Sequence, residues 1–251
     1  MTLSRRTLGG AALGFLCCRT AIAREASFSC DPLFDGTDLT ALVDRATVSR
    51  FAGGTDNDYE NSLIWVLVSL ADYLGINFAF GFYTERTIPN AAYVDDNLDG
   101  LAPIKQNMPS DGTILFGRKL VKETQRVAHN FGAAMTALAA HEAGHALQKK
   151  YSLRPVFMHA SFGSVRAELC ADFVCGYCAA YRETIQSDYP SSIQAITQFR
   201  KGDKKFIPSG HGTSKERARA VDAGYLYGRN HPSDGKAAVL KAVEYTLALK
   251  L

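Results

Sequence analysis

Several features are scarce in this 251-residue chain. It carries one Trp, 8 Pro and 4 Met, and it shows neither a repeat period nor a long Pro/Ser-rich linker. The first absence argues against a repeat architecture, and the second makes one domain the expectation for the body of the chain. A composition of 47% hydrophobic and 21% charged residues excludes collagen-like and low-complexity classes. An excess of one charge sign is also missing. The 28 Lys and Arg face 25 Asp and Glu, and Arg5, Arg6 and Arg19 account for the whole difference. A neutral body argues against affinity driven by phosphate neutralisation, so no nucleic acid partner is expected. Past the N-terminus no apolar run reaches membrane length. The strongest, SLIWVLVSL from Ser62 to Leu70, is interrupted by Asp72 and Gly75 and reads as a buried helix.

The first 23 residues, MTLSRRTLGGAALGFLCCRTAIA, read as an export signal. They have a basic start, an apolar stretch from Leu8 to Cys18 too short to span a bilayer, and Ala21-Ile22-Ala23 as a small-x-small cleavage site. Ser4-Arg5-Arg6-Thr7-Leu8 resembles a twin-arginine signal, although Leu8 stands where Phe is usual. Cleavage after Ala23 is expected, giving a periplasmic or secreted chain with no stable membrane insertion.

The remainder divides into 24–60, a polar, Gly/Asp-rich surface wrap or pro-like segment, and 61–251, the main domain. Periodicity predicts helices over Asn61 to Leu74 (stopped by Gly75), Leu120 to Asn130, Gly132 to Lys150, Val165 to Ile185, Ser214 to Tyr227 and Lys236 to Lys250. Ile76 to Thr84 and Thr113 to Phe116 suit strands, with Pro89 to Pro109 as an extended loop between them. The expected class is α+β, mostly helical, with a small sheet before the central helices.

The chemistry is concentrated in His141-Glu142-Ala143-Gly144-His145, an H-E-x-x-H within the helical run AAMTALAAHEAGHALQKK. Residues four apart lie about 40° apart around a helix axis, so both imidazoles face one side. Two nitrogen donors placed this way suit one Zn²⁺, and Glu142 beside them can take a proton from metal-bound water. Ala143 and Gly144 leave room for a neighbouring segment to pack closely. Downstream, Arg166-Ala167-Glu168-Leu169-Cys170-Ala171-Asp172 puts Glu168 and Asp172 on one face of the next helix. A catalytic zinc takes three protein ligands and keeps one position open, and His₂Glu is an established set. Glu168 would supply the third donor, and Asp172 could accept the N–H of a ligating imidazole.

HEAGHALQ, RAELCADFVCGY and Ser209-Gly210-His211-Gly212-Thr213-Ser214-Lys215-Glu216-Arg217 together resemble a bacterial family of neutral zinc metallopeptidases, itself similar to the thermolysin-like zincins. The resemblance spans roughly residues 110–228. It implies a zincin-like fold with His141, His145 and Glu168 on one zinc ion, Glu142 as general base and Asp172 behind the ligands. By analogy Thr113 to Gly117 would be the sheet edge above the site, where an extended peptide could add as a strand. An ordinary interior strand is the alternative. His211 occupies a position where it could stabilise an oxyanion. It could equally cap the helix starting at Ser214, or pack beside Arg217. Tyr177, Tyr225 and Tyr227 are further oxyanion candidates that nothing in the sequence separates.

Cys30, Cys170, Cys175 and Cys178 remain after signal removal. An oxidising compartment allows a bridge from Cys30 to a helix cysteine, while buried free thiols behave as small hydrophobes. Cys175-Gly176-Tyr177-Cys178 has redox spacing but no surrounding βαβ pattern. The leading expectation is an exported zinc endopeptidase acting on a peptide or protein substrate. The alternatives are an inactive zinc-bound peptide-binding scaffold and a thiol–disulfide protein using Cys175 and Cys178.

Overall fold

The computed structural model describes residues 39–43, 58–83, 89–94, 111–128, 130–187, 210–232 and 234–251. The export signal, Cys30 and most of the 24–60 wrap lie outside the described residues. In chain order the elements are β1 (Leu39–Val43), α1 (Asp58–Leu74), β2 (Ala79–Tyr83), β3 (Ala91–Val94) and β4 (Thr113–Gly117). They continue with α2 (Arg118–Val127), α3 (Phe131–Lys150), α4 (Arg154–Met158), α5 (Gly163–Ile185), α6 (Ser214–Asn230) and α7 (Gly235–Ala248). The class is α+β with helix dominant. Among the described residues, no helix is long and apolar enough to cross a membrane.

Helix boundaries follow local chemistry. α1 buries Leu67, Leu70 and Leu74 and stops at Gly75, whose φ of +63° lies in the left-handed region. There the Gly75 N–H reaches the Asp72 carbonyl and the Ile76 N–H reaches that of Ala71, a Schellman ending. Asn130 caps α3 by accepting from the Ala133 N–H at 2.9 Å. Thr213 and Glu216 form a reciprocal capping box at the start of α6.

The sheet has the order β1-β2-β4-β3. β1 and β2 are antiparallel, β2 and β4 parallel, and β3 and β4 antiparallel from Ala91 opposite Phe116 to Val94 opposite Thr113. Two expectations are corrected here. Thr113–Gly117 is not an edge strand, because it is paired on both sides, and among the described residues β3 takes the edge. The segment read as an extended loop from Pro89 contains β3, four residues that are all buried and so show no alternation. Within the 24–60 segment, Leu39–Val43 pairs with β2 at the other edge of this sheet. The short helix α4, opened by Pro155 in its first turn, also escaped the periodicity reading.

α3 and α5 are buried on nearly every side, from Ala133 to Gln148 and from Val165 to Ala180. This is the pattern of central helices rather than surface ones. Their contact is close because Gly144 has no side chain: a Cβ there would lie 2.7 Å from the Ala171 Cα. The α5–α6 contact is tighter still. A Cβ on Gly176 would meet the Val221 carbonyl oxygen at 1.9 Å, and one on Gly224 would meet that of Phe173 at 1.8 Å. Buried Arg166 donates from Nε to the Ser161 carbonyl at 2.8 Å and from its Nη atoms to those of Thr246 and Leu249, fastening the end of α7 beside the start of α5.

Cys170, Cys175 and Cys178 are free and buried, and the Cys175 thiol donates to the Ala137 carbonyl. Burial pushes all three thiols up, Cys170 to about 12. Such thiols are poor nucleophiles. The C-x-x-C spacing falls within α5 as helix packing.

Candidate metal centre

α3 carries His141 and His145 one turn apart, their rings 5.0 Å between centroids and nearly perpendicular. Glu168 approaches from α5, with one carboxylate oxygen 3.3 Å from the Nε2 of His141 and the other 3.6 Å from the Nε2 of His145. One ligand atom from each of the three residues lies within 4.8 Å of the others. Donors held tetrahedrally at ~2.0–2.1 Å from one zinc ion are separated by about 3.3–3.4 Å. The two separations, each to a different oxygen of Glu168, are of that order, and all three donors fall within 4.8 Å of one another. His141, His145 and Glu168 are thus a buried group that could hold a metal ion.

Their surroundings favour a cation. The Nε2 of His145 is buried without a hydrogen-bond partner, as is the Oε2 of neighbouring Glu142. Unsatisfied buried polar atoms are costly, and a bound ion or substrate group would satisfy them. Burial lowers the His141 pKa, but hydrogen bonds to Asp172 and Glu168 outweigh it and push the group up to about 10. Burial pulls His145 down to about 4 despite the nearby Glu168 charge. Burial alone would raise Glu168, yet the two histidines hold its carboxyl well below the usual range. Burial also raises Glu142 to about 7, against the opposing pull of His141 and of a backbone hydrogen bond from Tyr93 on β3. A carboxyl poised near neutrality can accept and return a proton.

Behind the three donors stand two supports. The Nδ1 of His141 lies 2.9 Å from Asp172 Oδ1. Asp172 is fully buried and receives both Nε and Nη2 of Arg217 from α6, at 2.7 and 2.8 Å. Its carboxyl is held below the ordinary range because Arg217 and His141 outweigh burial. At the other imidazole, His145 Nδ1 lies 3.2 Å from Gln148 Oε1. Gln148 was not singled out by sequence, although its position three residues past His145 puts it on the same helical face. Arg217 entered only as a neighbour for His211. Its capacity to fork onto a carboxylate from a separate helix is invisible to local spacing.

The structure brings together His141, Glu142, His145, Glu168 and Asp172. His211 is exposed and near enough for its charge to act on Glu168, and the cap of α6 belongs to Thr213 rather than to it. The three tyrosines are engaged elsewhere. The Tyr177 hydroxyl accepts from the Asp234 N–H, that of Tyr225 donates to Glu183, and the Tyr227 ring stacks on His231.

No protein-family model, curated protein or solved structure matches this chain.

Proposed function

We propose that this chain is an exported zinc-dependent endopeptidase of zincin type. One observation carries the reading: two imidazoles from one helix and a carboxylate from another converge within reach of one ion, with a second carboxyl, that of Glu142, beside them. The soft–hard balance of two nitrogens and one oxygen is a zinc set. A bound zinc ion supplies Lewis acidity, polarising a carbonyl and making water a nucleophile at neutral pH.

The chain's own residues perform the remaining work. Glu142 takes the proton of the attacking water on its carboxylate and returns it to the leaving amine, a role suited to its pKa of about 7. Asp172, held by Arg217, fixes the ring of His141. His211, exposed and near enough for its charge to reach Glu168, would stabilise an oxyanion from the solvent side. β3 replaces β4 as the strand beside which an extended peptide would lie, since β3 ends the sheet and its backbone reaches Glu142.

Glu142→Gln keeps the shape and removes the base. Its expected phenotype is one zinc per chain by metal analysis, with peptide-library cleavage reduced to the chelated background. Peptide cleavage retained by that variant would overturn the role of Glu142. Wild-type protein that binds peptides and zinc without cleaving would leave the scaffold reading in its place.

A further inference from the structure

The support behind His145 differs in kind from the one behind His141. Gln148 is buried and its amide contacts three groups. Its Nε2 lies 2.7 Å from the Ala167 carbonyl oxygen, its Oε1 lies 3.2 Å from His145 Nδ1, and the Cys170 thiol meets the same amide. A backbone carbonyl only accepts, so the NH₂ must face Ala167 and the amide oxygen must face the imidazole. An acceptor at that point keeps the ring hydrogen on Nδ1. The lone pair is then left on Nε2, the nitrogen that looks toward Glu168. Ala167 immediately precedes Glu168, so the same side chain also joins the helix bearing the imidazoles to the residue beside the third donor.

We propose that Gln148 is a positioning residue of the metal site: it selects the coordinating nitrogen of His145 and sets the approach of Glu168 to it. This rests on the reading that His145 is a metal ligand. Outer partners of ligating histidines are commonly carboxylates or backbone carbonyls, and they orient the ring and raise its basicity. Here a neutral amide does so, and its orientation is dictated by a carbonyl on another helix.

The test compares wild type, Gln148→Leu and Gln148→Glu by zinc titration against a chromophoric chelator, with thermal unfolding of the metal-free proteins alongside. Gln148→Leu loses the contacts to His145 and Ala167 together, and its zinc affinity is expected to fall about 10–100-fold. Gln148→Glu keeps an acceptor for the Nδ1 hydrogen but sets a carboxylate against the Ala167 carbonyl. It is expected to lose thermal stability while binding zinc far more tightly than Gln148→Leu. A purely structural role would make affinity follow stability. Gln148→Glu binding no better than Gln148→Leu, or Gln148→Leu binding as wild type does, overturns the proposal.

A second readout needs no variant to fold. Long-range ¹H–¹⁵N spectra of metal-free wild type should show the His145 hydrogen on Nδ1, and finding it on Nε2 overturns the proposal. Wild type that takes up no zinc overturns the metal-site reading itself. Variants that load zinc like wild type overturn only the role of Gln148.

Discussion

At one end of the site His141 faces two carboxylates, Asp172 at 2.9 Å and Glu168 at 3.3 Å. At the other end, one turn along the same helix, His145 shares Glu168 but has the amide of Gln148 behind it. Both rings are buried to a similar degree, yet one is pushed up to about 10 and the other down to about 4. Burial costs either imidazolium much the same. The difference comes from the partners: hydrogen bonds to Asp172 and Glu168 stabilise a proton on His141, whereas His145 gains the Glu168 charge and a neutral amide and is opposed by the charge of His141. Any cation entering must therefore displace a proton at one end and none at the other.

The asymmetry can be broken most severely at Asp172. Asp172→Ala leaves the half-buried Arg217 guanidinium and the buried His141 without their carboxylate, and it should cost about 3–5 kcal/mol of stability, read by urea unfolding of the metal-free protein. The matching cut at the neutral end, Gln148→Leu, should cost only about 1–3 kcal/mol, because no charge is stranded. Equal losses would show that the two supports do not differ electrostatically.

Gly144→Ala disturbs both ends together. The new Cβ would press on the Ala171 backbone, so about 1–3 kcal/mol should be lost to overpacking, with weaker zinc binding at both imidazoles.

The smallest effect is a proton count. At pH 8.5 Glu142 is already ionised while His141 still holds its proton. Zinc uptake there should release the His141 proton in addition to any that zinc-bound water loses, measured by calorimetry in buffers of different ionisation enthalpy. The same shift sets a stability trend for the metal-free protein. The folded pKa of His141 lies above its ordinary 6.5. Its contribution is therefore complete below about pH 6.5 and is lost as pH rises through about 10, so Tm should fall over that interval. A flat profile would return His141 to the same footing as His145.

The donors were legible because helical spacing is local. His141 and His145 at four apart, and Glu168 and Asp172 at four apart, each declare a shared face. Long helices were legible for the same reason, including the start at Ser214, although its Thr213–Glu216 box emerged only in the fold. Contacts between elements were not. Nothing near Thr113 shows that a strand from 91–94 covers one of its sides, and Ala91-Ala92 carries no alternation to reveal that strand. Arg217 reaches Asp172 across 45 residues, a pairing that depends on how two helices lie together. Gln148 lay within reach of a spacing argument, but its significance depends on the Ala167 carbonyl, which only the folded chain presents.

The contact between α5 and α6 has a consequence for that reach. Phe173 meets Gly224, Val221 meets Gly176, and Ala180 meets Gly228, so the two backbones mesh like gear teeth with no side chain between them to act as a cushion. Sliding by a single residue would drive a carbonyl into a methyl group or another carbonyl. Arg217, two turns before the first of the α6 glycines, is consequently delivered at a fixed height and azimuth. One residue inserted between Arg217 and Gly224 would swing the guanidinium about 100° around the axis and point it away from Asp172, although every side chain named in the site would still be present.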